Sequence, residues 1–396
     1  MNIVIGSSAP PDLGSGIGNY AKELSEALFS IGHTIHYLSP PPQDYTWIQQ
    51  NGFHHISTDQ FDDPIQRCCE LIEYFKANDL HGAINNDNPF LQCIAPALNC
   101  PIISVGHMDR KSVAALACFG WQWIDYVVSI SMDMYQVFTN IYNVPKDKCP
   151  IIFNGVKDRL KIDIEYNFSS PLNVIYSGGH SINKGGDKVL SLIEKYQNLS
   201  DRIELHWFGD CKPKIRKKLF NYSNVNYYGR VLRDKFIEQL SKSDIILIPS
   251  KYEGCPMVLL EAFSFGVVPI SSYGHGAMKN IIDNDNTGYI YHLSDWTSQT
   301  FEILIQLFNN RHKLLTMKKS VRDHYKKLFD IKVVANSLLN LLSNPTVSRD
   351  SHPKSIPVLK WHRPLRPDGL KAPLIDRFCI NFGFLRKAGH IKLFGR

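Results

Sequence analysis

The sequence has no long apolar run. Nothing approaches the roughly 18 to 20 residues needed to cross a bilayer, and stretches such as Cys149 to Val156 are broken by Pro150, Asn154 and Gly155. It also lacks the basic flank and apolar segment of a secretory signal, opening instead on the strand-like run Asn2 to Ile5, so a cytoplasmic location is expected. The nine cysteines show no C-x-x-C spacing and lie among apolar neighbours (Cys93, Cys100, Cys118, Cys149), a pattern of reduced thiols rather than of a disulfide or zinc framework. No metal site is expected. There is no short-period repeat, and the only biased segment, Pro40 to Pro42, reads as a turn.

What is present is an ordinary globular balance over 396 residues, 44% hydrophobic and 20% charged, enough for two domains at about 150 residues each. The net charge of +7 is concentrated at one end. Residues 351–396 carry ten lysines and arginines against Asp368 and Asp376, a local +8, which leaves the first 350 residues at −1. A near-neutral body without a basic recognition motif argues against nucleic-acid binding. The terminal stretch, where Phe378, Phe382, Phe384 and Phe394 alternate with basic residues, is suited to lie along an anionic membrane surface or to pack across the first domain.

Short apolar runs alternate with helical periodicity along most of the chain. Asn2 to Ile5, Thr34 to Leu38, Gly82 to Ile84, Ile102 to Val105, Tyr126 to Ile130 and Ile151 to Phe153 predict strands. A helix between the first two buries Tyr20, Leu24, Ala27 and Leu28, and another follows around Ile65 to Phe75. After a polar stretch between Gly155 and Pro171, a second series begins, with strands at Leu172 to Ser177, Ile203 to Phe208, Val225 to Tyr228, Asp244 to Ile248 and Val267 to Ile270. Its helices are expected near 186–197, 233–241, 256–265, 296–309 and 331–343. The predicted architecture is α/β, with two Rossmann-like doubly wound domains at 1–165 and 166–345 and a basic extension at 346–396.

In open parallel sheets ligands bind beyond the carboxyl ends of the strands. After Asp244 to Ile248 comes Pro249-Ser250-Lys251-Tyr252-Glu253-Gly254-Cys255-Pro256-Met257-Val258-Leu259-Leu260-Glu261. Pro256 is suited to the first helical position, which would turn the Met257 and Val258 amides toward a phosphate at the mouth of the sheet. Glu253 and Glu261 are then either ligands for sugar and ribose hydroxyls or carboxylates satisfied at a helix start and a helix surface. The Asp283-Asn284-Asp285 run, ahead of Thr287-Gly288, reads as a turn rather than a metal site. Gly14, Gly16 and Gly18 fail the dinucleotide fingerprint, because the spacing is G-x-G-x-G and no acidic residue ends the second strand.

The segment Glu253 to Glu261 closely resembles the E-x7-E region of the family 4 glycosyltransferases, retaining enzymes of the GT-B fold. The resemblance extends over most of the chain to about residue 343. Gly16-Ile17-Gly18-Asn19 is similar to that family's glycine loop near the donor diphosphate, and Asn154-Gly155-Val156 to its N-G-V at the end of the first domain. Gly266, Pro269 and Thr287-Gly288 also fall where the family has them. The run Gly106-His107-Met108-Asp109 resembles its first-domain histidine, which implies that His107 faces the reacting sugar. Lys184-Gly185 matches the family's Lys-Gly, which implies a phosphate clamp.

Two positions depart from the pattern. Gly179 stands in place of the usual arginine, with His180 or a backbone amide as a substitute, and Asn280 stands where many relatives have a glutamate. The resemblance implies a metal-independent, retaining transfer from a nucleotide-diphosphate sugar, with no further cofactor and a UDP-sugar favoured. The acceptor would be a saccharide or lipid-linked saccharide of bacterial surface-polysaccharide assembly, at the inner face of the membrane. Glu253 would hold the donor sugar and Glu261 the ribose. The rival readings are a non-catalytic nucleotide-sugar binder of the same fold, and a phosphorylase or nucleotide-sugar epimerase on a similar scaffold.

Overall fold

The structure, a computed structural model, describes residues 1–58, 64–108, 111–160, 171–195, 202–274 and 276–349, together with two strands at 355–358 and 389–392. It divides into two units, Met1–Asn154 with Val334–Arg396, and Gly155–Val333.

The first unit is built on six parallel strands, β1 (Asn2–Ser7), β2 (Thr34–Ser39), β3 (His54–Ser57), β4 (Gly82–Asn86), β5 (Ile102–Gly106) and β6 (Tyr126–Ser129), in the order β3-β2-β1-β4-β5-β6. Ile3, Val4, Ile5, Ala83, Ile84 and Ile103 are fully buried, because helices cover both faces of a parallel sheet and continuous apolar strands are what such a sheet requires. The helix Gly16–Ser30 starts at Ser15, whose hydroxyl accepts from the Gly18 amide at 3.0 Å, and it lays Tyr20, Leu24, Ala27 and Leu28 on the sheet. Fully buried Asp125, ahead of β6, accepts from the Ile102 amide at 2.7 Å, the Thr346 amide at 2.9 Å and the Val347 amide at 3.0 Å, and pairs with Arg349. Residues 346–349 therefore belong to this unit. β13 (Ser355–Val358) and β14 (Gly389–Lys392) form an antiparallel pair. The rest of the predicted extension, including most of Leu374 to Arg396, lies outside the described residues, as do 161–170 of the predicted linker and Asp109.

The second unit repeats the topology with β7 (Leu172–Ser177), β8 (Ile203–Phe208), β9 (Val225–Gly229), β10 (Ile245–Ile248), β11 (Val268–Ser272) and β12 (Tyr289–Tyr291), ordered β12-β11-β10-β7-β8-β9. In each sheet the chain winds outward in two directions from a central pair, β1/β4 in one and β7/β10 in the other. The loops leaving that pair diverge and open a crevice at the carboxyl edge. The long helix Arg311–Leu328 buries Leu314, Met317, Val321 and Tyr325 on one face. From it, Lys318 Nζ reaches Asp244 at 2.9 Å, and Arg322 Nη1 donates to the carbonyl of Ser264 at 2.6 Å.

Four expectations are corrected. Ile151 to Phe153 is not a strand but an isolated bridge from Ile151 to Ser129. The predicted boundary at 165/166 lies at 154/155, because Val156 pairs with Asp330 and its carbonyl accepts from the Tyr325 hydroxyl at 2.8 Å. The predicted boundary at 345/346 moves to 333/334, within the helix Ile331–Ser343, since Leu342 packs against Gly82 and Asp125 holds the residues that follow. Pro256, with an extended ψ of 113°, is the cap of the next helix and not its first residue.

Candidate functional site

Two loops of the second unit meet at the carboxyl edge of the central pair β7 and β10. The first, residues 178–186, is held almost entirely by main chain. The amides of Gly178 and Gly179 both donate to the Phe208 carbonyl (3.2 and 2.9 Å), His180 N donates to Asp210 O at 3.0 Å, and the Tyr176 hydroxyl donates to the carbonyls of Gly179 (3.1 Å) and Lys184 (3.2 Å). The second, residues 249–256, is locked to the first where the Lys251 amide donates to Asn183 O at 2.8 Å. A Cβ at Gly185 would lie 2.1 Å from the Pro249 carbonyl oxygen, and one at Gly276 only 1.5 Å from that of Glu253. Both glycines have positive φ (71° and 113°). The glycines are what let these backbones touch.

On this frame the structure brings Lys184 and Glu253 together, Nζ to Oε1 at 2.6 Å. The same Oε1 accepts from the Ser250 hydroxyl at 2.7 Å. Glu261 is buried on the helix Met257–Ser264 and pairs with Arg233, the first residue of the helix Arg233–Ser241. The helix carrying Glu261 is fixed at its far end by the Arg322 contact to Ser264. Met257 and Val258 form its first turn, beside the Glu253 loop. His180 lies on the first loop, its Nδ1 buried without a hydrogen-bond partner. Asn280 is exposed on the short helix Met278–Ile281.

The place of the missing arginine has a steric explanation. Gly179 has φ +54°, and a Cβ there would lie 2.4 Å from the Asp210 carbonyl oxygen and 2.9 Å from its nitrogen. Any side chain at this position would push against backbone.

Gly16, Gly18 and His107 belong to the first unit. Gly16 and Gly18 form the first turn of a helix rather than a free loop, and the Gly18 amide is already taken by Ser15. His107 follows β5 and is 5% exposed, with Nε2 3.1 Å from Asn86 Oδ1 and its ring edge-on to Tyr20. Burial lowers its pKa to about 3 and keeps it neutral. Beside Asn86 stands Asp87, 5% exposed at φ +58°, with neither carboxyl oxygen hydrogen-bonded. Burial raises its pKa to about 8.

Sequence reasoning missed Ser250, Arg233 and Asp87. Asp87 left a signal, in that Asn85-Asn86-Asp87-Asn88-Pro89 at a strand end announces a polar turn into a helix. Asp283 to Asp285 form the predicted turn, with Thr287 N donating to Asp283 O at 2.8 Å and Lys313 Nζ to Asp285 Oδ1 at 2.7 Å.

Residues 159–324 match the family model described as Glycosyl transferases group 1. The chain is similar in structure to a crystal structure of a glycosyltransferase from Rickettsia africae, with a TM-score of 0.70 at 14% identity, covering 86% of this chain and 98% of that one. The fold is that of the GT-B glycosyltransferases. The Anabaena protein Alr3699/HepE, solved in complex with UDP, gives a TM-score of 0.69 at 13% identity over 87% of this chain and all of its own. Among curated proteins, the chain is 24% identical to the N-acetyl-alpha-D-glucosaminyl L-malate synthase of Bacillus anthracis, over 85% of this chain and 95% of that one. It is 26% identical to the lipopolysaccharide 1,6-galactosyltransferase of Escherichia coli K12, over 50% and 55%. Together the family match and these relatives support a sugar transferase. The matched segment contains Lys184, Arg233, Glu253 and Glu261, whereas Gly16, Gly18 and His107 fall outside it.

Proposed function

We propose that this chain is a retaining, metal-independent glycosyltransferase that moves a sugar from a nucleoside-diphosphate sugar, UDP-linked in the first instance, to a saccharide or lipid-linked saccharide acceptor in polysaccharide assembly. The observation that carries the proposal is the Lys184–Glu253 pair at the switch point of the second sheet, set on loops that lie within the glycosyltransferase match. The donor reading is supported by the UDP complexes of the structural neighbour, and the acceptor class by the lipopolysaccharide galactosyltransferase and a putative colanic acid biosynthesis glycosyl transferase of Escherichia coli among the relatives.

In this reading Glu261 accepts from the ribose hydroxyls, and Lys184 with the Met257 and Val258 amides holds the diphosphate. Glu253 accepts from hydroxyls of the donor sugar. The bond from the anomeric carbon to the phosphate oxygen breaks, and the acceptor oxygen bonds to that carbon on the same face. The acceptor proton passes to the departing phosphate. A cation and main-chain dipoles carry the developing charge. His107 enters as a neutral hydrogen-bonding imidazole, not a general acid, because its burial opposes protonation. The chain works in the cytoplasm, and residues 351–396 bring it to the inner membrane surface through their basic charge. A nucleotide-sugar binder without turnover is the second reading, favoured by the closed Gly179 position.

The test is a thermal-shift panel with UDP, GDP, ADP and CMP, with and without their sugars, on wild type and Glu261→Ala, followed by turnover of Glu253→Ala. One nucleotide is expected to raise the Tm only when Glu261 is present, and Glu253→Ala is expected to lower turnover about 100-fold or more. Unchanged turnover in Glu253→Ala sinks the mechanism. Binding by wild type with no transfer to any acceptor selects the second reading.

A further inference from the structure

The charges of the second unit's site are stored in two pairs, Lys184 with Glu253 and Arg233 with Glu261. In each the carboxylate is the buried partner and the cation the accessible one. The Glu261 side chain is 4% exposed against 36% for Arg233, and that of Glu253 11% against 47% for Lys184. Glu261 is further immobilised by its helix, whereas Arg233 reaches it from the first residue of a different helix. The exposed cation is the partner that can leave.

The proposed reading brings ribose hydroxyls to Glu261, and the present inference rests on it. Those hydroxyls replace the guanidinium N–H groups as donors to Glu261 but carry no charge, so the ribose breaks the Arg233–Glu261 ion pair. The diphosphate attached to that ribose offers an anionic replacement, and the planar fork of an arginine matches two phosphate oxygens at once. The site also needs the charge. Gly179 cannot carry a side chain, Lys184 is shared with Glu253, and Arg230 is drawn to Asp210 at 3.2 Å.

We infer that Arg233 is an exchanging ligand for the diphosphate, paired with Glu261 as the structure shows it and transferred to the phosphate oxygens when the ribose takes the Glu261 carboxylate. Its consequence is a toll on nucleosides. A ligand with a ribose but no phosphate must break the pair without resettling the arginine, while a diphosphate completes the exchange.

Titration calorimetry with UDP, UMP and uridine on wild type, Arg233→Gln, Glu261→Gln and the double variant tests this. Arg233→Gln is expected to weaken UDP about tenfold or more while leaving uridine unchanged or tighter, so that the ratio of their Kd values collapses. Glu261→Gln frees the arginine in advance. That variant is expected to keep the preference for UDP over uridine at the wild-type level or above, and the double variant to lose it, which guards against a fold disturbed by an unpaired buried glutamate. Equal weakening of UDP and uridine, or an unaltered ratio in both backgrounds, overturns the inference while leaving the donor site standing. A wild-type protein that binds none of the three overturns the donor reading and the inference with it.

Discussion

The loops after β4 and β10 hold the same place in two sheets of identical strand order, yet their carboxylates are treated in opposite ways. After β10, Glu253 and Glu261 are buried as carboxylates with a lysine and an arginine against them. After β4, Asp87 is buried with neither oxygen hydrogen-bonded, and His107 meets the neutral groups of Asn86 and Tyr20. Burial without a counter-charge drives both groups to their neutral forms at pH 7. One edge is equipped for a charged ligand, and the other presents uncharged polar groups. A shared topology fixes where a site stands, and the side chains decide its polarity.

The comparison breaks most sharply at the glycines. Gly276→Ala would set a Cβ 1.5 Å from the Glu253 carbonyl oxygen, against backbone that cannot give, whereas Gly106→Ala, in the first unit and so outside the unit that holds the Glu253 loop, meets the buried Phe138 ring at 2.4 Å, a side chain rather than backbone. Gly276→Ala is expected to cost about 2–4 kcal/mol and to abolish the nucleotide-dependent Tm shift, while Gly106→Ala keeps that shift. Urea unfolding and thermal shift on both variants measure this, and a Gly276→Ala protein with a full nucleotide response contradicts the frame described here.

A second effect is pH dependence. Asp87 titrates near 3.8 when unfolded and about 8 when folded, so between these values the native state holds the extra proton and stability falls as pH rises. His107 titrates near 6.5 unfolded and about 3 folded, so the unfolded state holds the proton there and stability falls as pH drops from 6.5 toward 3. The two slopes oppose each other between 4 and 6.5. Relative to wild type, Asp87→Asn is expected to gain stability as pH rises from 4 to 8, and His107→Gln to gain as pH falls from 6.5 to 3. Each gain is at most about 1.4 kcal/mol per pH unit. Urea midpoints across pH 3–8 report it, and curves parallel to wild type refute the neutral forms.

The smallest expected effect sharpens the contrast. His107→Gln is expected to leave the Kd for UDP within about twofold of wild type, because donor binding is assigned to the second unit alone. A tenfold loss in calorimetry moves part of the nucleotide site onto the first.

The alternation of strand and helix was legible because parallel strands buried on both faces are written as short apolar runs, and β7, β8 and the helices 233–241, 296–309 and 331–343 lie where periodicity puts them. The helix Arg311–Leu328 was not, since its lysines and arginines mask a single apolar stripe, and β3 carries one aliphatic residue, Ile56, while β12 has only three residues. Ile151 to Phe153 misled because an apolar run after Pro150 finds one bridging partner and no ladder. Of the candidate site, Glu253, Glu261 and Lys184 were singled out by the family resemblance of their loops, spacing alone leaving the glutamates open between ligands and structural carboxylates. Their cations could not all be singled out, since Arg233 stands 28 residues before Glu261 and only the winding of the sheet brings them together.

The loops around Lys184 and Glu253 are shaped by carbonyls, amides and missing Cβ atoms rather than by interdigitated side chains. Outward-facing residues can therefore be exchanged without rebuilding the scaffold. Such a chain can change the side chains it presents at this edge over evolutionary time, one surface substitution after another, while its skeleton stays constant.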